Sequence, residues 1–490
     1  MNRHTEQNQL QRTMKSRHLF MIALGGVIGT GLFLGSGFTI SQAGPGGAIL
    51  AYIIGGFLMY LVMLCLGELA VAMPVSGSFQ EYATRFLGPS TGFMIGWLYW
   101  FSWANTTGLE FTSAGILMQR WFPDVPIWSW CLIFGVITFL INALSARSYA
   151  ETEFWFSSIK VTAIILFILI GGAAVFGFID FKGGEPAPFL SHFTQGAGLF
   201  PNGILAVLLT LVTVNFSFQG TELVGIAAGE SESPEKTLPR SIRNVIWRTL
   251  FFFVLAMFVL VSILPYKTAG VIESPFVAVL DQIGIPYAAD IMNFVILTAV
   301  LSVANSGVYA ASRMLWSLSN SNMGPKPLKK LSTKGVPINA LIVTMIISGC
   351  SLITSVVAAE TVYLWFISIS GMVTIIVWMS ICASQFMFRR RFLAEGGDIK
   401  ELKFKTPLYP FVPILGFCLY GLVLISLIFI PDQRIGLYCG VPLIIVLYVY
   451  YHVGIKKNIN QSRNPPTICM VDLVCRQKWI GVSHSIKMGC

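Results

Sequence analysis

Twelve stretches of this chain are each apolar over about the length a helix needs to cross a bilayer. They cover 19–41, 47–73, 91–118, 127–146, 154–177, 202–228, 245–265, 289–316, 337–358, 361–388, 409–430 and 435–454. Lipid offers backbone N–H and C=O groups no partner, so such stretches must satisfy their own backbones as helices. The scarcity of charge agrees. Only 11% of residues are charged, whereas a soluble domain carries about 25%. The expected fold is therefore an all-α integral membrane protein of twelve transmembrane helices.

The formal charge of +10 could suggest nucleic acid, but the basic residues lie in short runs between apolar stretches. They set topology instead. With the N-terminus in the cytoplasm, 27 of the 32 Lys and Arg fall on the inner side, including Arg3, Arg12, Arg85, Arg147, Arg240, Arg313, Lys330 and Arg389 to Arg391. Only Arg120, Lys182, Lys267 and Arg434 fall outside. Both termini are then cytoplasmic. The chain divides into an N-terminal tail (1–18), a first five-helix unit (19–177), a second (178–388), two further helices (389–457) and a tail of no legible role (458–490).

No cofactor or metal is expected. Cys65, Cys131, Cys350, Cys382, Cys418 and Cys439 are scattered through apolar stretches with no CxxC pair, which suits small packing residues. The five histidines lie in tails, loops or span ends, so an embedded enzyme lacks a nucleophile–base pair or metal cluster. A channel would show rings of pore-lining residues, and none is visible.

Two spans are interrupted. Residues Gly25 to Gly37 hold six glycines in thirteen positions, each weakening a helix by about 1 kcal/mol relative to Ala. Gly25 and Gly29 alone could serve close helix packing. The cluster Gly29-Thr30-Gly31 goes further and fits an unwound turn lining a cavity. The sixth span repeats the theme, with Asn215, Phe216, Ser217, Phe218, Gln219, Gly220, Thr221 and Glu222 at membrane depth. Interrupted segments at matching places in two halves mark a transporter's binding site. A half-helix N-terminus presents N–H groups to a carboxylate, and freed carbonyls at a C-terminus accept from an ammonium. Together they fit a zwitterionic α-amino acid.

Ionisable groups at membrane depth are functional candidates by default. Trp103, Thr106, Thr107 and Glu110 share one face of the third span and read as a pocket wall; a buried, hydrogen-bonded acid is the plainer alternative for Glu110. Glu153, Ser157 and Lys160 form a stripe on the fifth span, and a desolvated lysine can take up and release a proton. Glu222 in the second break is a proton or gating candidate, while Glu68 and Glu230 sit nearer the inner ends as structural or gate partners. Phe216 and Phe218 flank the break and could cap a substrate or meet a cation.

Four stretches carry a resemblance: Gly25 to Gly37, Pro74 to Phe79, Glu153 to Lys160, and Phe216 through Glu222 and Glu230 to Arg240. In that order and spacing, residues 12–455 resemble the bacterial amino acid permeases of the amino acid–polyamine–organocation superfamily. The resemblance implies a LeuT-like 5+5 inverted repeat with discontinuous helices 1 and 6 and two extra helices, in a bacterial cell membrane, with the proton as coupling ion. It implies that Val27 to Gly31, with Gly29 and Thr30 between them, and Ser217 to Thr221, with Gly220 between them, hold the substrate backbone. By the same likeness Phe216 is a gating aromatic, Glu222 the acid of the break, Lys160 stands where relatives bind a coupling sodium ion, and Asn305 and Ser306 lie beside the pocket. The N-terminal half, over Thr13 to Met21 and Leu64 to Pro74, looks most like S-methylmethionine permeases, a sulfonium cation that Glu110 and Trp103 would suit. Lysine permeases share much of this sequence, so a cationic amino acid is the alternative. The tail from about Asn458 departs from the family.

Overall fold

A computed structural model describes residues 10, 14–184, 186–194, 198–232, 234–269, 274–350 and 359–456. Readings of the tail from Asn458, of Arg3 and Arg12, and of the join at 351–358 between the ninth and tenth spans lie outside them.

Among the described residues the protein is helical, with one isolated parallel bridge between Met14 and Ser231. The chain enters through α1 (Ser16–Gly25), α2 (Thr30–Phe33) and α3 (Gly35–Ala72), then α4 (Ser78–Phe86), α5 (Pro89–Met118), α6 (Ile127–Leu144) and α7 (Ala146–Val175). There follow α8 (Leu205–Phe218), α9 (Leu223–Ala227), α10 (Pro234–Ile263), α11 (Pro275–Ile283), α12 (Ala288–Asn320), α13 (Ile338–Cys350), α14 (Ala359–Ala394), α15 (Phe411–Ser426) and α16 (Arg434–Tyr450). Among the described residues, eight helical stretches are long and apolar enough to cross a membrane, and the apolar parts of α10 and α13 are shorter.

Local chemistry sets many of the boundaries. Pro89 and Pro275 open α5 and α11 at the first turn, where a missing N–H does no harm. The Ser145 side chain caps α7 by accepting from the Ser148 N–H. Gly284 ends α11 at φ +79°. The first two expected spans differ from expectation. Helix α3 runs through their join, turning at Gly44, where φ is +74° and Pro45 follows. A side chain there would lie 2.3 Å from the Pro201 ring, so the bend needs both glycine's freedom and its size.

The helices sort into an inner and an outer set. The stretch Leu205–Glu230 is 89% buried over its most apolar window, whereas Arg434–Ile455 is 11% buried. Helix α5 packs most extensively on α12, and α3 lies along α8 and α10. Outside them, α6 and α16 expose Leu132, Leu140, Ile445 and Val446, a surface suited to lipid.

One buried ion pair ties α14 to α3. Arg389 of α14 donates from Nε to Glu68 Oε1 of α3 at 2.6 Å and from its terminal nitrogen to Oε2, which also accepts from the Thr406 N–H at 2.7 Å. Glu68→Leu leaves a buried guanidinium uncompensated, and we expect a loss of about 3–5 kcal/mol of stability. Thermal unfolding in detergent should show a large drop for this single variant, and a smaller one for Glu68→Leu combined with Arg389→Met.

Candidate substrate-binding site

The first break follows directly from its glycines. Helix α1 stops at Gly25, and Gly29 adopts an extended backbone (φ −150°, ψ −152°) before α2 begins at Thr30. The second has the same cause. Helix α8 ends at Phe218, Gln219 turns extended at ψ 137°, and Gly220 follows at φ +107°. The two breaks touch. A Cβ on Gly220 would sit 2.3 Å from the Gly26 carbonyl oxygen, and one on Gly31 would sit 2.5 Å from the Ser217 Cα. Each glycine is there because another strand of backbone occupies the space.

Beside this contact lies a narrow hollow with about 10 Å³ open to a water-sized sphere, room for about one water. Gly26, Val27, Gly29, Thr30 and Gly31 form one side, and Trp103, Thr106, Glu110, Phe216, Gln219 and Val303 the rest. The first N–H groups of a helix have no intrahelical acceptor, and the start of α2 brings its own to this space. Along α5 the lining residues fall at i, i+3 and i+7, one helical face; at the end of α8 they are Phe216 in its last turn and Gln219 just past it.

The structure thus brings Val27, Gly29, Thr30, Gly31, Trp103, Glu110 and Phe216 to one hollow, and it places the other expected residues elsewhere. Thr107 turns toward α12, donating to the Trp103 carbonyl at 2.8 Å and crowding Gly307. Ser217 faces α3, hydrogen-bonded to the Tyr52 hydroxyl at 3.1 Å. Phe218 stacks on Phe253, ring centroids 5.0 Å apart. Gly220 and Thr221 close the break itself, with the Thr221 hydroxyl donating to the Phe218 carbonyl. Asn305 accepts from Asn142 of α6 at 2.7 Å, away from the lining. Ser306 is hydrogen-bonded to Tyr149. Sequence reasoning left out Gly26 and Val303, and named Gln219 only as part of the stretch Ser217 to Thr221. For Gln219 a signal was present: it stands three residues beyond Phe216, on the same face.

Charged groups bind both breaks. Lys160 donates to the Gly25 carbonyl, to the Ile28 carbonyl at 3.2 Å and to Ser302 Oγ at 2.8 Å, with Glu153 Oε1 3.8 Å away. Glu222 accepts from the Gly220 N–H at 3.0 Å and from the Tyr99 hydroxyl at 3.2 Å. Glu230 lies apart, accepting from Tyr309 at 2.8 Å and from Arg313 at 3.0 Å. Its carbonyl takes the Met14 N–H, which fastens the start of the chain across the end of this segment.

Five described glutamates are buried: Glu68, Glu110, Glu153, Glu222 and Glu230. Three are ion-paired, with Arg389, Lys160 and Arg313. Glu110 has instead the Thr30 hydroxyl at 2.7 Å on Oε1 and no partner on Oε2. An acidic group without a basic partner therefore faces the hollow.

Two wider cavities lie along α12, the first of them also along α5. One of about 270 Å³ is lined by Leu34, Ser113, Arg120, Ser274 and Asn293. The other, about 380 Å³, is lined by Leu10, Gly77, Glu81, Gly229, Trp316 and Asn320.

The chain matches the family model described as amino acid permease over residues 18–464. The chain belongs to the amino acid permease family. This permease is 83% identical over 455 residues to the amino-acid permease RocC of Bacillus subtilis, covering 93% of this chain and 97% of that one. It is 60% identical to the putative histidine permease of the same organism, over 93% and 95% of the two chains. It is 44% identical to the lysine-specific permease LysP of Escherichia coli, over 91% and 94%. Membership makes it a transporter of the amino acid–polyamine–organocation superfamily with an amino acid as its small-molecule substrate.

The contact between the breaks makes a sharp prediction for this permease. Gly220→Ala combines an unfavourable φ with a 2.3 Å approach to the Gly26 carbonyl, and should abolish amino acid uptake. Gly172→Ala, with nothing within 4 Å, should leave uptake per membrane-inserted molecule near that of the parent. Equal activity of the two variants would show that the touching breaks are dispensable.

Proposed function

We propose that this permease imports a cationic α-amino acid in symport with protons, by alternating access. The observation that carries the reading is the hollow itself, where backbone freed by a break meets a buried carboxylate with an open oxygen, Glu110 Oε2. The N–H groups at the start of α2 suit the substrate carboxylate, carbonyls around Gly26 and Val27 suit its ammonium, and Glu110 supplies the charge that a cationic side chain requires. Phe216 and Trp103 are the aromatic walls, Phe216 acting as the gate. Ser217, Phe218, Gly220, Thr221, Thr107 and Asn305 support the lining from behind.

The relatives named for lysine and histidine favour this cationic alternative over S-methylmethionine, the substrate first expected. A sulfonium cation carries charge but no N–H donor, so it would leave Glu110 Oε2 without a hydrogen bond.

We place twelve crossings in the bacterial cell membrane, as two inverted five-helix units and two added helices, with both termini in the cytoplasm. The distribution of Lys and Arg supports this orientation. Opening alternates between the two cavities, with the closed hollow between them and Glu222 and Glu230 holding the moving segment. Lys160 is the coupling group. It clasps the carbonyls on both sides of the first break, so loss of its proton would loosen the turn that lines the hollow.

Uptake of labelled lysine into vesicles should be saturable, and should be stimulated by an inwardly directed proton gradient. Lys160→Ala should remove that stimulation while leaving counterflow exchange measurable. Wild-type uptake indifferent to a protonophore would sink the coupling assignment.

A further inference from the structure

One lining residue belongs to neither the backbone grip nor the coupling group. Gln219 is the first residue past α8, where the chain turns extended, and it lines the hollow at 4% exposure. Its Nε2 donates to Ser102 Oγ at 3.4 Å. Its Oε1 is buried without a hydrogen-bond partner. Glu110, 1% exposed and lining the same hollow, leaves Oε2 in the same condition. The Trp103 indole N–H, a donor on the same lining, is likewise buried without a hydrogen-bond partner.

Two unpartnered oxygens in one small space define a ligand by chemistry. Buried acceptors are almost always satisfied in proteins, so a pair left open at one site calls for a donor from outside. Each is an acceptor, so the ligand must bring at least two N–H groups. An ammonium has three donors and a guanidinium five, and neither has an acceptor to set against these oxygens. A neutral urea or amide brings a carbonyl oxygen as well, and an alkyl group brings nothing.

We propose that Gln219 is a specificity-determining residue of this permease: its carbonyl oxygen and the free oxygen of Glu110 together clasp the N–H groups of a cationic substrate side chain. Glu110 supplies the charge, and Gln219 the second acceptor that a charge alone does not require. The proposal rests on the transport reading above and extends it to the end of the side chain, selecting lysine and arginine over their neutral near-isosteres norleucine and citrulline.

The test is competition by lysine, arginine, norleucine and citrulline against uptake of labelled lysine and of labelled arginine in vesicles. The wild type should favour each cation over its neutral counterpart. Gln219→Leu removes the acceptor and should weaken competition by the two cations about tenfold to a hundredfold, the usual effect of a hydrogen bond to a charged group. Norleucine and citrulline should move by less than about threefold. Gln219→Glu keeps an acceptor in place and should retain the preference for cations. Ligand-induced thermal stabilisation of each purified variant, with arginine against citrulline, reads the same preference where uptake is lost. An unchanged preference in Gln219→Leu would overturn the clasp, as would its loss in Gln219→Glu, which would mean that the amide nitrogen faces the substrate. Failure of the wild type to take up either labelled amino acid would instead remove the transport reading on which the clasp depends.

Discussion

The contact of Gly26 with Gly220 is the constraint on which the rest depends. An unwound helix in a membrane exposes peptide groups that lipid cannot satisfy, so one break alone would be a liability. Here two breaks lie against each other closely enough that Gly220 cannot carry a side chain. What the breaks leave open is then met by charged residues of matching sign. Lys160 stands at the C-terminal end of α1, where carbonyls are exposed, and Glu222 at the N-terminal end of α9, where N–H groups are. Each charge sits at the helix end whose dipole favours it. The same geometry accounts for two ionisable residues deep in an apolar chain and for the stability of two irregular turns.

The remaining buried charges follow a division of labour. Glu68 with Arg389 and Glu230 with Arg313 join helices that are distant in sequence, and both pairs are fully enclosed. Arg313 also lies 4.1 Å over the Tyr309 ring, which stacks on Tyr149. Such pairs are held by several contacts at once, as enclosed ions must be. Glu110 has one hydroxyl donor and no cation. The contrast separates charges that fix the scaffold from a charge with capacity to spare.

Much of this was legible in the sequence, because the two strongest signals are compositional. Apolar runs report the solvent, and glycines clustered at Gly25 to Gly37 report where a helix fails. Several lining residues could be picked from helical spacing, as with Trp103 and Glu110. The misplacements have a common cause. Beside a break, adjacent residues point in different directions, so that Phe216 enters the hollow while Ser217 and Phe218 turn to Tyr52 and Phe253. A motif marks the segment without marking its inward side. Asn305 was drawn away by a partner in α6, Asn142, and no periodicity within α12 could announce it. The join of the first two spans was misread for a different reason: Gly44-Pro45 ends a helix in most settings, yet here the chain bends against Pro201 and continues.

Two long helices, α5 and α12, act as rails that set the order of events along the molecule. On α5, Trp103 to Glu110 border the hollow, while Ser113 to Arg120 border the cavity of about 270 Å³. On α12, Asn293 borders that same cavity, Val303 the hollow, and Trp316 to Ser321 the cavity of about 380 Å³. The three spaces are therefore strung in sequence along α12, and the hollow and the cavity of about 270 Å³ also border α5. Both helices run unbroken past the spaces they border. The helix breaks between Gly25 and Thr30 and between Phe218 and Leu223 give motion a natural place to occur, and on the reading proposed above the breaks that grip a substrate are also the joints that would let it go.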